Sequence, residues 1–150
     1  NETQVCQDAL DIGQWDVFLL AGRYTLLEQS PLERLFPACK KAGTSIICGG
    51  PFNSGLLVGR DTWNYSKAPE DLIKKTKKLA SVADEFNIPL AAAALQFPQA
   101  HNIISSVIPG PRSEMELLEI IAWQETEIPV EFWTALKDKN LLAIDTPTPV

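Results

Sequence analysis

Two loops of this sequence carry residue types that could bind a phosphate group. The first reads Gly-Gly-Pro-Phe-Asn-Ser-Gly at residues 49–55, so a ligand could approach the backbone closely. Backbone amides and the Ser54 hydroxyl would act as donors to a diphosphate there. The alternative is that the glycines only satisfy a strained turn, and both interpretations fit the pattern.

The second loop places a guanidinium at the predicted start of a helix. Arg112 precedes Ser113, and the free amides and dipole of a helix N-terminus favour an anion. Arg112 could hold a phosphate or stack on an adenine. The Ser-x-x-Glu pattern of Ser113 and Glu116 also predicts a capping box, in which the two residues satisfy backbone amides reciprocally. Both roles can hold for Ser113, but a capping Glu116 brings negative charge beside any bound phosphate.

The remaining candidate residues have weaker patterns. Tyr24 follows a predicted strand and could stack on a ligand or donate a proton, although a place in the wall of the fold is the simpler interpretation. His101 has no Ser, Cys or carboxylate at a recognisable spacing, so we predict a surface or structural role. Trp123 and Trp133 lie at helical positions and are predicted to be core. Three cysteines far apart and one histidine support neither a disulfide framework nor a zinc site, and they fit a reducing cytoplasm.

The composition is that of an ordinary soluble globular protein. The 150 residues are 45% hydrophobic and 21% charged, with a formal net charge of -6, which excludes disordered and collagen-like classes. The excess of acids argues against a nucleic-acid partner, and the lysine run at residues 74–78 is predicted to be the exposed face of a helix. The longest apolar run, residues 88–95, is too short to span a bilayer. We therefore expect a cytoplasmic protein with no membrane partner.

Three uninterrupted apolar runs predict the strands that position these loops. They lie at residues 17–21, 44–48 and 103–108, and their composition predicts a parallel sheet whose strands are buried on both faces. Each candidate loop follows one of these strands directly. Ligands bind at the carboxyl ends of parallel strands, so the two loops are expected at one edge of the sheet.

In the segments between the predicted strands, the apolar residues have the spacing of helices. Ser30 is expected to cap the second helix and Gly43 to end it, while residues 64–69 form a polar turn and the proline-rich tail at 146–149 is mobile or lies along a surface. The alternation predicts a single α/β domain of repeated βα units over residues 1–150. The helices are predicted at residues 4–12, 30–42, 72–86, 89–99 and 113–123, with a last one from Pro129.

The sequence contains four motifs in register, at residues 15–27, 49–57, 91–97 and 106–113. Together they resemble the C-terminal half of the aldo-keto reductases, and the match covers nearly the whole chain. It is most similar to the sugar-dehydrogenase branch of that family. The resemblance implies a (β/α)8 TIM barrel, of which residues 1–150 would form an incomplete part with three parallel strands and flanking helices. A complete barrel typically needs about 250 residues, and the chain starts at Asn1 instead of Met, so we expect a fragment.

The resemblance also implies NAD or NADP as cofactor, with hydride moving between its nicotinamide and a sugar aldehyde or hemiacetal carbon. Three departures from the family pattern are Gly49 for an aromatic residue under the nicotinamide, Gly110 for the lysine of the 2'-phosphate site, and Ile120 for an asparagine at the adenine. With two acids and one arginine nearby, NAD is favoured over NADP. By position, Asn1 would hold the nicotinamide carboxamide, Gly50, Phe52 and Ser54 would line the diphosphate, and Arg112, Ser113, Glu116 and Glu119 would surround the adenosine end.

Catalysis in this family uses an Asp, Tyr, Lys and His tetrad, with tyrosine as the proton donor. The resemblance places all four upstream of Asn1, since Tyr24, Tyr65 and His101 do not lie in motifs that match those of the tetrad. One hypothesis is therefore that the chain is the cofactor-binding half of an enzyme, inactive without an N-terminal half. The other is a non-catalytic half-barrel that binds dinucleotide or self-associates through its open sheet edges.

Overall fold

The computed structural model describes residues 2–64 and 66–150. Asn1 lies outside the described residues, so its expected contact with the nicotinamide stays a prediction, and Tyr65 lies outside them as well. Short 3-10 turns occur at Ser30–Leu32, Asn53–Val58 and Phe97–Ala100. The helices and strands in the described part are α1 (Thr3–Ile12), β1 (Val17–Ala21), α2 (Leu35–Ala42), β2 (Ser45–Gly49), β3 (Thr62–Trp63), β4 (Ser66–Lys67), α3 (Glu70–Glu85), α4 (Leu90–Gln96), β5 (Ile104–Ile108), α5 (Glu114–Glu125) and α6 (Val130–Asp138).

Three strands form one parallel sheet in the order β1-β2-β5. Ala21 pairs with Gly49, and Gly49 pairs in turn with Ile108, so the three strands end together. The pairing of β2 with β5 shifts by one residue at Ser105. Helices lie in both connections between these parallel strands, as parallel pairing requires. The predicted βα architecture and all three strand positions, to within one residue, are confirmed.

The prediction that every strand is buried on both faces is wrong for β1 and β5. The face of the sheet that packs on the helices is buried, with Leu20 and Ile46 at 1% and 0% exposure. On the opposite face Val17, Leu19 and Ile108 remain 42%, 58% and 45% exposed. This opposite face, which we call the inner face, is the one that fills the interior of a closed barrel. An apolar run indicates that both faces avoid water, but it does not show which element covers each one.

The start of α2 also differs from the prediction. Residues 30–32 form a separate 3-10 turn, and the α-helix begins at Leu35. The Ser30 hydroxyl donates to the Glu28 carboxylate at 3.1 Å, and the residue at the N-cap position of α2 is Arg34. Gly43 ends the helix as predicted, with a φ of +75° in the left-handed region where glycine carries no steric penalty.

Two local features of the long connection after β2 escaped prediction. The antiparallel strands β3 and β4 overlap the expected polar turn at residues 64–69, with Thr62 opposite Lys67 and Trp63 opposite Ser66. Two-residue strands are too short to show an alternating pattern. In α3, Lys75 does not share the exposure predicted for the lysine run, because its Nζ donates to the Leu27 carbonyl at 3.1 Å. Burial of this ammonium lowers the pKa of Lys75.

The core lies between the sheet and the helices, and α6 supplies its largest side chain. Trp133 is 1% exposed and packs edge-on against Phe132 with ring centroids 4.9 Å apart. The tail lies along the surface, with Thr146 buried and residues 147–149 partly exposed. No helix in the described residues has both the length and the apolar character needed to cross a membrane.

Candidate phosphate-binding groove

A groove of about 920 Å³ opens where β1, β2 and β5 end. This volume lies within the range of about 300–1,000 Å³ that is usual for small-molecule sites. Its walls come from the loops after all three strands and from one face of α5. Ser113 is not among its lining residues. The predicted site residues that line it are Gly50, Phe52, Ser54, Arg112, Glu116 and Glu119.

The glycine-rich loop uses its own amides more than the sequence suggested. The Gly50 amide donates to the Ile108 carbonyl at 3.1 Å, the Asn53 amide to the Gly50 carbonyl and the Gly55 amide to the Phe52 carbonyl. These three amides are therefore already paired within the protein, and diphosphate binding by the loop stays a prediction. The loop is also strained, because Asn53 and Ser54 have positive φ values of 47° and 57°. The turn is thus strained, and the loop also lines the groove, so both interpretations stay open.

Asn53 is a structural residue of this site that the sequence did not single out. Its side chain is buried, and its Nδ2 donates to the Gly22 carbonyl at 3.2 Å. This hydrogen bond ties the loop after β1 to the loop after β2, 31 residues apart. Its Oδ1 is buried without a hydrogen-bond partner among the described residues. No local pattern signals a contact over such a separation.

Two arginines and one glutamate form the charged end of the groove. Arg112 donates from Nη2 to Oε1 of Glu116 at 2.9 Å and from its backbone amide to Oε2 at 2.8 Å. Arg60 reaches the same Oε1 from the loop after β2, at 3.2 Å. The hydrogen bonds from Arg112 hold the pKa of Glu116 at about 2, and the same contact raises the pKa of Arg112. Arg60 was missed because nothing near it in sequence distinguishes it from a surface arginine.

The capping box at the start of α5 is only half formed. The Ser113 hydroxyl accepts from the Glu116 amide at 3.2 Å, which confirms its role as N-cap. The Glu116 carboxylate, however, accepts from the amide of Arg112 and not from that of Ser113. The reciprocal pairing was therefore wrong, because the carboxylate is drawn to the residue that also offers a guanidinium. The predicted conflict between a capping Glu116 and a bound phosphate remains.

An aromatic pair lines the groove two turns further along α5. Phe52 and Trp123 meet edge to face, with ring centroids 5.5 Å apart and an interplanar angle of 78°. Trp123 is half-buried and lines the groove, so its predicted place in the core was wrong. Ile120 lies on the same face of α5. This end of the groove can pack on a planar ring, while the other end carries charge.

Tyr24 and His101 lie away from the groove in an aromatic cluster. Tyr24 is fully buried against Phe36 and Phe97, with ring centroids 4.9 and 5.1 Å away, which confirms the wall interpretation. Burial raises the pKa of Tyr24 above its ordinary value of 10 and makes it a poor proton donor. His101 packs on Phe36, and its Nδ1 accepts from the Ile103 amide at 3.2 Å. Burial and Lys40 lower the pKa of His101, so the predicted structural role is confirmed.

The Tyr24→Phe variant tests this assignment. The Tyr24 hydroxyl is buried without a partner among the described residues, so its removal should leave the free energy of unfolding unchanged or raise it by about 1 kcal/mol. The raised pKa means that the unfolded state loses this proton first, so wild-type stability should fall above pH 10 more steeply than that of the variant. Urea unfolding at neutral and alkaline pH measures both effects. A loss of more than 1 kcal/mol at neutral pH would show that the hydroxyl has a partner.

The parallel sheet, its crossover helices and the groove at the strand ends define part of a (β/α)8 barrel. Aldo-keto reductase AKR11C1 from Bacillus halodurans, in its apo and holo forms, superposes with a TM-score of 0.68 at 22% sequence identity. The superposition covers 91% of this chain and 47% of the apo chain. The predicted fold class, an incomplete barrel of three parallel strands with flanking helices, is therefore confirmed.

Residues 2–141 match the Aldo/keto reductase family, and the chain belongs to that family. It is 40% identical to pyridoxal 4-dehydrogenase of Microbacterium luteolum over 95% of this chain and 43% of the relative. It is 33% identical to D-threo-aldose 1-dehydrogenase of a Pseudomonas species, over 89% of this chain and 41% of the relative. The chain thus spans less than half the length of these curated relatives. The family comprises oxidoreductases that use NAD(P)H.

Proposed function

We propose that this chain is the cofactor-binding, C-terminal half of a barrel that transfers hydride between NAD and an aldehyde or hemiacetal carbon. The observation that carries this proposal is the groove at the strand ends, with two guanidiniums at one end and an aromatic pair in its wall. Arginine suits phosphate groups because its planar donors remain charged at every physiological pH. Family membership supports a dinucleotide as the occupant.

The residues present fit an extended dinucleotide. Gly49 lines the groove. A Cβ atom there would lie only 3.1 Å from the Cβ of Ala21, which leaves little room for a side chain at this position. Phe52 and Ser54 would line the diphosphate, and Arg112 with the first turn of α5 would hold the adenosine end. Arg60 joins this set from the loop after β2. When bound, the nicotinamide supplies or accepts the hydride.

The carboxylates of the groove favour NAD over NADP in this proposal. Glu116 and Glu119 both line the charged end, and Gly110 stands where the resemblance expects a lysine. An additional phosphate on the ribose would meet two carboxylates that repel it. Arg60 and Arg112 are already paired with Glu116, so neither guanidinium is uncommitted.

The relatives support an aldehyde or its cyclic hemiacetal as substrate. Their names describe oxidation of an aldose at C1 and of pyridoxal. Aldoses and pyridoxal are aldehydes with a hydroxyl that can close onto the carbonyl carbon. We propose an aldose of this kind as the substrate, with pyridoxal as the competing case. The acid and base that move the substrate proton would come from the rest of the barrel.

The inner face of the sheet supports a partner for this half-barrel. Val17, Leu19 and Ile108 form an exposed apolar patch there, and β1 and β5 are both edge strands. Unpaired edges beside apolar surface favour association with further strands. We propose that the remaining strands of the barrel cover this face. A second copy of the chain is the alternative, in a half-barrel without redox activity.

Calorimetric titration of the purified protein with NAD+ and NADP+ tests the binding half of the proposal. We expect saturable binding of NAD+ that is tighter than that of NADP+. An assay of NADH formation with D-threo-aldoses and with pyridoxal, on protein with and without the remainder of the barrel, tests the catalytic half. Folded protein that binds neither dinucleotide at millimolar concentration would overturn the proposal.

A further inference from the structure

Glu116 holds two arginines that come from separate loops on the two sides of the groove. Its Oε1 accepts from Arg60 at 3.2 Å and from Arg112 at 2.9 Å. Arg60 follows β2 and Arg112 follows β5, so the three side chains form a bridge between the two loops. All three line the groove. The carboxylate therefore occupies the donors that an anionic ligand would use.

The loop after β2 is shaped to deliver Arg60 to this bridge. Gly55 has a φ of +101°, and a Cβ atom built on it would lie 2.5 Å from Cδ of Arg60 and 3.0 Å from its Cγ. The aliphatic part of the arginine thus rests directly on a bare Cα atom. The Arg60 amide also donates to the Gly55 carbonyl at 2.9 Å. These contacts with Gly55 fix the position of Arg60, so that its guanidinium reaches Glu116.

We propose that Glu116 is an affinity- and specificity-determining residue that acts as an internal substitute for a phosphate group. In this view the carboxylate keeps both guanidiniums at the end of the groove, and a phosphate group of the ligand binds by taking its place. The inference rests on the proposed function, because it assumes that the groove receives a phosphate. It goes further, because it proposes that every anionic ligand must break the ion pairs of Glu116 before it can bind the two arginines.

The charges at the groove end explain why neutralising Glu116 should raise phosphate affinity more than neutralising Glu119. The bridge itself, two guanidiniums and one carboxylate, carries one positive unit, whereas it would carry two with an uncharged residue at position 116. Glu119 lines the same groove from the next turn of α5, but it pairs with no cation among the described residues. Neutralising Glu116 therefore removes both a competitor and a negative charge, while neutralising Glu119 removes only a charge.

The test compares Glu116→Gln with Glu119→Gln, using inorganic pyrophosphate and NAD+ as probes in calorimetric titrations of the purified protein. Glu116→Gln should bind pyrophosphate about fivefold to tenfold more tightly than wild type, as expected when two exposed ion pairs need not be broken. Glu119→Gln, the matched control, should change the affinity less than about twofold. Both substitutions are on an exposed helix turn, and circular dichroism checks that the fold is retained.

A double-mutant cycle with Arg60→Met separates competition from a general charge effect. In the Arg60→Met background the gain from Glu116→Gln should shrink, because one of the two occupied donors is gone. Equal gains from the two glutamine variants, or an unshrunken gain in the cycle, would overturn the role of Glu116. Weaker pyrophosphate binding by Arg60→Met together with no gain from Glu116→Gln would leave the proposed function standing and reject this inference alone. No pyrophosphate or dinucleotide binding by any variant would reject both.

Discussion

The Arg60→Met/Arg112→Met double variant should bind NAD+ about 100-fold more weakly than wild type. Both guanidiniums lie at the charged end of the groove, and their side chains are 48% and 67% exposed. A hydrogen bond to a charged group contributes about 1.5–3 kcal/mol, and solvent exposure puts each arginine at the lower end of that range. Each single variant should therefore lose roughly tenfold in affinity. Calorimetric titration gives the dissociation constants directly.

The Lys77→Met/Lys78→Met variant is the matched control for this loss. It also removes two positive charges, but from exposed positions of α3 that do not line the groove. Its affinity for NAD+ should stay within about twofold of wild type, because charges beyond a Debye length of about 10 Å are largely screened. An equal loss in the two double variants would mean that net charge, and not the groove, attracts the dinucleotide.

The Trp133→Ala variant should lose about 3–5 kcal/mol of unfolding free energy, the usual cost of truncating a large buried aromatic residue. Trp133 is 1% exposed and packs between Phe132 and Phe97, with ring centroids 4.9 and 6.4 Å away. Removal of the indole leaves a cavity where α6 meets the core. Urea unfolding followed by circular dichroism measures the loss without depending on tryptophan emission.

Trp15→Ala provides the comparison within the same residue type. Trp15 is 46% exposed, and its indole donates to the Ala9 carbonyl at 2.8 Å. Its removal should cost about 1 kcal/mol, the usual net contribution of one hydrogen bond. If the two variants lost equal stability, the core would not lie between the sheet and α6 as described.

The strands were predictable from the sequence because each is an apolar run bounded by turn residues. The run at 17–21 matches β1 residue for residue. The start of α2 was not predictable in the same way, since Ser30 and Pro31 fit a 3-10 turn as well as an α-helix start. The exposure of Leu19 was also out of reach, because it depends on which elements cover the inner face.

The site was predictable only where its residues are neighbours in the chain. Ser113 and Glu116 are three residues apart at a helix start, so their pattern predicted the N-cap contact. Arg60 and Glu116 are 56 residues apart, and only the shared edge of the sheet brings them together. The Trp123 position had the same difficulty, since helical spacing gives no indication of which neighbour faces it. Long-range contacts of this kind decide the charge of the groove.

A two-dimensional NMR titration of isotope-labelled protein with NAD+ tests directly whether the groove of this chain binds the dinucleotide. We expect saturating shifts of the Gly50, Ser54, Arg112 and Ser113 amides and of the Trp123 indole, with the signals of Trp15 and Lys78 unchanged. The residues expected to shift line the groove or, in the case of Ser113, lie beside it. Trp15 and Lys78 are exposed residues outside the groove lining. Shifts confined to residues outside the groove, or none at millimolar NAD+, would contradict the proposal that this chain holds the dinucleotide.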